Sequence, residues 1–186
     1  DGMPKDESDE ESESEPEDDE RIMKLLTYEG KHTQEETAAY LLELGGDDAL
    51  IYGDLFAGHP KHAQAHFLLM GAACLNNEEP LAPQILARDA LFRGCMKGED
   101  EQAALLVMFE IFCIVECREA LEDFSPILRA LWEKDIVGEE PIIAWHQNEL
   151  ALREFHPKHF SQADAEAIRE SSREFVEWMQ AGEYEG

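Results

Sequence analysis

Positive charge is what this 186-residue sequence has least of: 15 lysines and arginines face 43 aspartates and glutamates, a formal net charge of −28. Sustained negative charge repels phosphate backbones and anionic membrane surfaces, so direct nucleic-acid binding and lipid binding are not expected. A basic protein segment is the natural complement. No apolar run reaches the roughly 18 residues that a membrane span needs. The acidic N-terminus also lacks the charged-then-apolar pattern of a secretory signal. Cysteine is scarce, and Cys74, Cys95, Cys113 and Cys117 lack the paired C-x-x-C spacing of a zinc site. They read as buried, reduced thiols of a cytoplasmic protein. The motifs G-x-x-x-x-G-K-[ST], G-x-S-x-G and H-E-x-x-H are missing too. Acids are plentiful, but nothing in the order of residues sets one in an apolar pocket beside a group that would tune it. No enzyme activity, metal or cofactor is therefore assigned. The chain begins at Asp1 and not at Met, as expected of a fragment or a processed protein.

What is present divides in two. Residues 1–20 hold twelve acids and one lysine, with Met3 their one sizeable apolar group. Like-charge repulsion and missing apolar surface leave nothing to offset ordering entropy, so a disordered acidic linker is expected there. From Arg21 the pattern turns to helical periodicity, and the 44% hydrophobic content is enough for a core. Thr33-Gln34-Glu35-Glu36 reads as a capping box opening a helix to about Leu44, stopped by Gly45-Gly46. A short helix over 47–56 and one from Pro60 to Leu75 follow, then one from Leu81 to Met96. Residues 101–117 are apolar nearly all round, interrupted by Glu110 and Glu116, which predicts a helix buried among others. Ser125-Pro126 supplies a cap and a first-turn proline for a helix through Lys134. Further helices are expected over 139–147 and 149–155, and a last one capped by Ser161 and running to Ala181. No stretch alternates with period two. The expected fold is all-α, an α-α superhelix of antiparallel helix pairs spanning residues 21–186.

Two stretches carry the most information: Leu131-Trp132-Glu133-Lys134-Asp135-Ile136 running on to Glu139-Glu140-Pro141-Ile142-Ile143-Ala144-Trp145, and Phe175-Val176-Glu177-Trp178-Met179-Gln180-Ala181-Gly182-Glu183. Each couples aromatic and aliphatic anchors to carboxylates that must face water. Together they resemble the two aromatic/acidic boxes of the W2 domain, which closes translation initiation factor five and the epsilon subunit of the exchange factor for initiation factor two. The resemblance is clear over 102–183, loose over 33–100, and does not reach the linker. It implies a HEAT/MIF4G-like fold and a monomeric assembly hub of the preinitiation complex. Its partners would be the lysine-rich tail of the beta subunit of initiation factor two, initiation factor one and initiation factor three. Carried over by position, Glu133, Asp135, Glu139 and Glu140 fall in the first box, and Glu174, Glu177 and Glu183 in the second. Trp132, Trp145, Phe175 and Trp178 are expected as scaffold anchors. Within the family, the acidic linker and Ile127-Leu128 ahead of Leu131-Trp132 read closer to factor five. The GTPase-activating domain of that protein is not in this chain. The rivals are the exchange-factor epsilon subunit, a W2-bearing mimic, and a generic acidic helical scaffold for basic clients.

Each candidate has a plain alternative. The box acids are an ordinary solvated face if the spacing to tryptophan means nothing. His62 and His66 share a helical face at a spacing that can chelate a metal, yet no third ligand stands near them in sequence, and pH-sensitive surface histidines are the default. Cys113 and Cys117 share a face among Phe112, Ile114 and Val115, as core thiols do. Ser8, Ser12 and Ser14 each have an acid three residues on, the spacing acidophilic kinases prefer; a solubilising linker is the competing reading.

Overall fold

The computed structural model describes residues 16–45, 74–147 and 162–182. Among these the secondary structure is helical, with no strand. The expected helices over 47–56 and 149–155, most of the one from Pro60, the His62/His66 pair, the serines at 8, 12 and 14, the Ser161 cap and Glu183 lie outside the described residues.

Helix α1, Pro16–Glu29, starts inside the segment expected to be linker. The reason is local: a proline at the first position followed by Glu17, Asp18, Asp19 and Glu20 suits a helix N-terminus, where acids oppose the backbone dipole. Lys24 reaches back to Glu20 at 3.6 Å one turn away. Leu25 is fully buried on the inner face of α1, and Tyr28 stacks on Tyr40 of α2, Gln34–Gly45, at 4.1 Å between ring centroids. The capping box forms as read. The Thr33 N–H donates to Glu36 Oε1 at 3.0 Å and the Glu36 N–H to Thr33 Oγ1 at 3.1 Å.

The single helix expected over 81–96 is two, α3 (Leu81–Ala87) and α4 (Asp89–Gly94). The cause comes from another helix. The Gln34 side-chain amide donates to the Ala87 carbonyl at 3.0 Å and accepts the Leu91 N–H at 2.9 Å. Those two backbone groups would bond each other in a continuous helix, so the inserted amide opens the ladder there. Beside it Arg88 pairs with Glu29 of α1, Nε to Oε2 at 2.7 Å. Gly94 lets α4 lie close on α2: a Cβ there would meet the Ala38 methyl at 2.7 Å.

Helix α5, Glu99–Glu116, is the axis of the core. Residues 103–114 are all buried, which is why its apolar residues need no favoured face. A 3-10 turn, Arg118–Leu121, leads to α6, Ser125–Glu133. Ser125 is not the cap it was read as. It is the first helical residue, its N–H bonded to Asp123 Oδ1 at 3.2 Å, and its hydroxyl donates to the Ser171 carbonyl. Helix α7, Glu139–His146, follows; the Gly138 N–H before it is held by Gln102 Oε1 of α5 at 2.8 Å. The last expected helix is also two, α8 (Gln162–Ser171) and α9 (Arg173–Ala181). The break falls at Ser172, whose buried hydroxyl donates to the Ile168 carbonyl at 2.8 Å. Helix α7 packs on both α5 and α9.

The four cysteines are free and buried, as expected. Burial, with help from Glu29, pushes the Cys74 thiol up to about 12. Burial likewise raises Cys95 to about 12 and Cys117 to about 11, and lifts Cys113 well above the ordinary thiol range. All four are protonated, weakly nucleophilic thiols at neutral pH. Among the described residues no three metal-ligating side chains converge, and no helix is long and apolar enough to cross a membrane.

Candidate functional site

The four aromatic anchors divide into two sites with different environments. Trp145 is the interior one, 1% exposed. Its ring packs on Phe124 at 5.3 Å, and its Nε1–H donates to Glu110 Oε1 at 2.9 Å. Glu110, the polar interruption noted in the buried helix, is completely buried and paired with Arg169 of α8, Nη1 to Oε2 at 2.7 Å. The same guanidinium donates to the Trp145 carbonyl at 3.0 Å and lies 4.8 Å over the indole ring. One charged pair therefore ties α5, α7 and α8 together around one tryptophan. This site is scaffold.

The second is at the surface. Trp132 of α6 meets Trp178 and Phe175 of α9 edge-on, with centroids 5.7 and 6.0 Å apart. Phe175 and Trp178 lie 5.7 Å apart. Phe175 is buried, whereas Trp132 and Trp178 are half-buried. The three rings hold the end of α6 against α9. Beside them runs an open groove of about 450 Å³, with Asp123, Arg129, Glu174, Phe175 and Trp178 in its walls. Trp178 therefore belongs to the aromatic cluster and also lines the groove.

The acids distribute unevenly around this cluster. Glu133 pairs with Arg129 one turn back at 3.2 Å, and Glu177 with Arg173 at 3.9 Å. Arg173 also pairs with Glu170, which raises the guanidinium further above its ordinary range and holds the Glu170 carboxyl below its own. Glu174 is exposed beside the groove. Glu139 and Glu140 open α7, where acids are favoured by the helix dipole whatever else they do.

Asp135 has a backbone role its sequence did not show. It takes the left-handed conformation, φ 58°, just after α6. The Ile136 N–H bonds the Leu131 carbonyl at 2.9 Å and the Asp135 N–H the Trp132 carbonyl at 3.1 Å. This is a Schellman ending with Ile136 and Leu131 buried together, and glycine is the usual residue at its left-handed position. Asp135→Gly should raise stability by about 0.5 kcal/mol, the relief of that conformation less the flexibility glycine adds to the unfolded chain. Urea denaturation checks it, and a lower midpoint would give the Asp135 side chain a structural contact.

Residues 101–186 match the family model described as W2: eIF4-gamma/eIF5/eIF2-epsilon. Residues 101–186 belong to the W2 family. The chain is similar to eukaryotic translation initiation factor 5 of Phaseolus vulgaris, 26% identical over 117 residues. That stretch is 63% of this chain and 24% of that protein, so the relative is several times longer than the shared part. The fold is that of a solved C-terminal domain of translation initiation factor 5 at low pH, with a TM-score of 0.60 and 21% identity. The likeness covers 94% of this chain and 96% of the other. It therefore takes in helices that precede the family match.

Proposed function

We propose that this chain is the C-terminal part of a factor-five-type protein and works as a cytoplasmic, monomeric assembly domain. It binds lysine-rich segments of other initiation factors, through its two boxes acting as one surface. The partners that fit are the basic tail of the beta subunit of initiation factor two, initiation factor one and initiation factor three. Factor five is favoured over the exchange-factor epsilon subunit because the similar protein and the similar solved domain are both factor 5. The observation that supports the reading is the contact of Trp132 with Phe175 and Trp178, since Glu133 and Glu177 adjoin those rings in sequence. Residues 21–186 are read as one helical domain and residues 1–20 as its acidic linker, and because α1 begins at Pro16 the deletion that tests the linker stops at residue 15. Ser8, Ser12 and Ser14 are kinase sites in that linker.

Single exposed ion pairs contribute only about 0–1 kcal/mol, so affinity must come from many weak pairs and from steering of a polybasic ligand. Binding should fall steeply with salt, because the Debye length shrinks from about 10 Å at 0.1 M to about 3 Å at 1 M. The test is calorimetric titration of a lysine-rich peptide at two salt concentrations. Wild type is compared with Glu139→Lys/Glu140→Lys, with Glu174→Lys/Glu177→Lys, and with a chain lacking residues 1–15. Both double reversals should weaken binding about tenfold or more; Glu139→Lys/Glu140→Lys should also lower the melting temperature by a few degrees, because it sets two cations at a helix N-terminus, whereas the pair at Glu174 and Glu177 should move it less. If loss of residues 1–15 abolishes binding and the reversals do not, the linker is the receptor and the boxes are an ordinary solvated face.

A further inference from the structure

The surface aromatic site already holds a cation. The Arg129 guanidinium carbon lies 5.0 Å over the Trp178 ring and 5.6 Å over Phe175, while its Nη1 pairs with Glu133 at 3.2 Å. Half of the Arg129 side chain is exposed, so nothing buries it in place. The groove it borders carries two further carboxylates, Asp123 and Glu174. A ring face flanked by acids suits a flat, weakly hydrated guanidinium better than a compact ammonium. Arg129 itself shows that such a group fits.

We propose that Arg129 is an internal stand-in for a ligand: an arginine side chain of a basic partner segment takes its place over Trp178 and Phe175. This rests on the assembly reading above and deepens it by assigning the groove an arginine and a built-in competitor. Arg129 swings out toward solvent as the incoming guanidinium stacks, and Glu133 exchanges one cation for another. The net cost of the exchange is small because a like pair replaces a like pair. The consequence is a masked selectivity: a segment with a correctly spaced arginine exchanges with Arg129 at little net gain, one with lysines alone leaves Arg129 seated and binds by the general field, and the preference for arginine emerges when Arg129 is removed.

The test uses two synthetic peptides of equal charge, one all-lysine and one with a single central arginine, titrated into wild type, Arg129→Gln and Arg173→Gln. Arg173→Gln removes the same charge from α9, the helix that carries the rings, but from pairs that do not involve the ring face. Arg129→Gln should tighten the arginine peptide about three- to fivefold beyond its gain for the lysine peptide, the size expected of one exposed cation–π contact. Arg173→Gln should affect both peptides equally. Trp178→Leu, which keeps apolar bulk without the ring face, should cancel the arginine preference. An arginine preference that is unchanged in Arg129→Gln, or equal in Arg173→Gln, overturns the exchange. Failure of wild type to bind either peptide, or indifference to reversal at Glu139 and Glu140, would instead sink the assembly reading on which it stands.

Discussion

Arg169→Met is expected to cost about 3–5 kcal/mol, among the largest single-residue effects in this domain. Arg169 supplies the cation to Glu110, which is wholly buried at the centre of α5. Removing one partner of such a pair leaves a charge uncompensated in a low-dielectric interior, and that penalty dominates. The Trp145 Nε1–H would still donate to Glu110, but a neutral donor does not replace the lost cation. Domain stability is typically about 5–15 kcal/mol, so the variant should sit near the edge of folding. The decisive comparison is the double variant Arg169→Met/Glu110→Gln. With no charge left and a Gln oxygen still able to accept from Trp145, it should recover a good part of the loss. Urea midpoints of the two single variants and the double variant give the cycle. A double variant no better than Arg169→Met would mean that Arg169 acts through its bonds to the Trp145 and Ala165 carbonyls more than through Glu110.

Trp145→Ala should destabilise by a similar amount, about 3–5 kcal/mol, through lost burial and the cavity that remains. It also leaves Glu110 short of a donor and strips Arg169 of the ring it covers. Trp178→Ala should cost much less, about 1–2 kcal/mol, because that ring is half-buried at the surface. Yet it should weaken binding of a basic peptide more than its stability loss explains. Thermal melts beside peptide titrations separate the two tryptophans. Equal losses of melting temperature would show that the surface cluster holds the fold as firmly as the interior one.

How far the sequence alone carried depends on how far apart the interacting residues lie. The Thr33–Glu36 capping box and the buried α5 follow from residues within a turn or two of one another, and both form as read. The break at Arg88 does not, because its cause is Gln34, 57 residues before the Leu91 N–H it accepts. Propensity has no access to that distance. Glu110 was visible as an interruption, but its meaning lies with Arg169, 59 residues on, and with Trp145. The boxes were legible as a pattern of rings and acids, and three of the four rings meet, with Trp145 apart in the interior. What the pattern hid was which acids are engaged by the chain itself. Glu133 and Glu177 have arginines one turn away, and Asp135 ends a helix in the left-handed conformation. Helical spacing alone would have suggested Arg129 beside Glu133. The seat of Arg129 over α9 needed the tertiary fold.

The joint between the first two helices and the rest of the molecule has a consequence of another kind. Two fasteners meet there, the Gln34 amide and the Arg88–Glu29 pair. One is neutral and the other ionic, so they answer differently to the medium. Concentrated electrolyte weakens attraction between charges but leaves an amide-to-backbone bond nearly untouched. Ion pairs on the surface of so acidic a polypeptide are at the mercy of ionic strength. The Gln34 latch is not. Brine strong enough to strip a basic ligand from the acidic face leaves α1 and α2 seated, and a wash that empties the binding surface does so without dismantling its support.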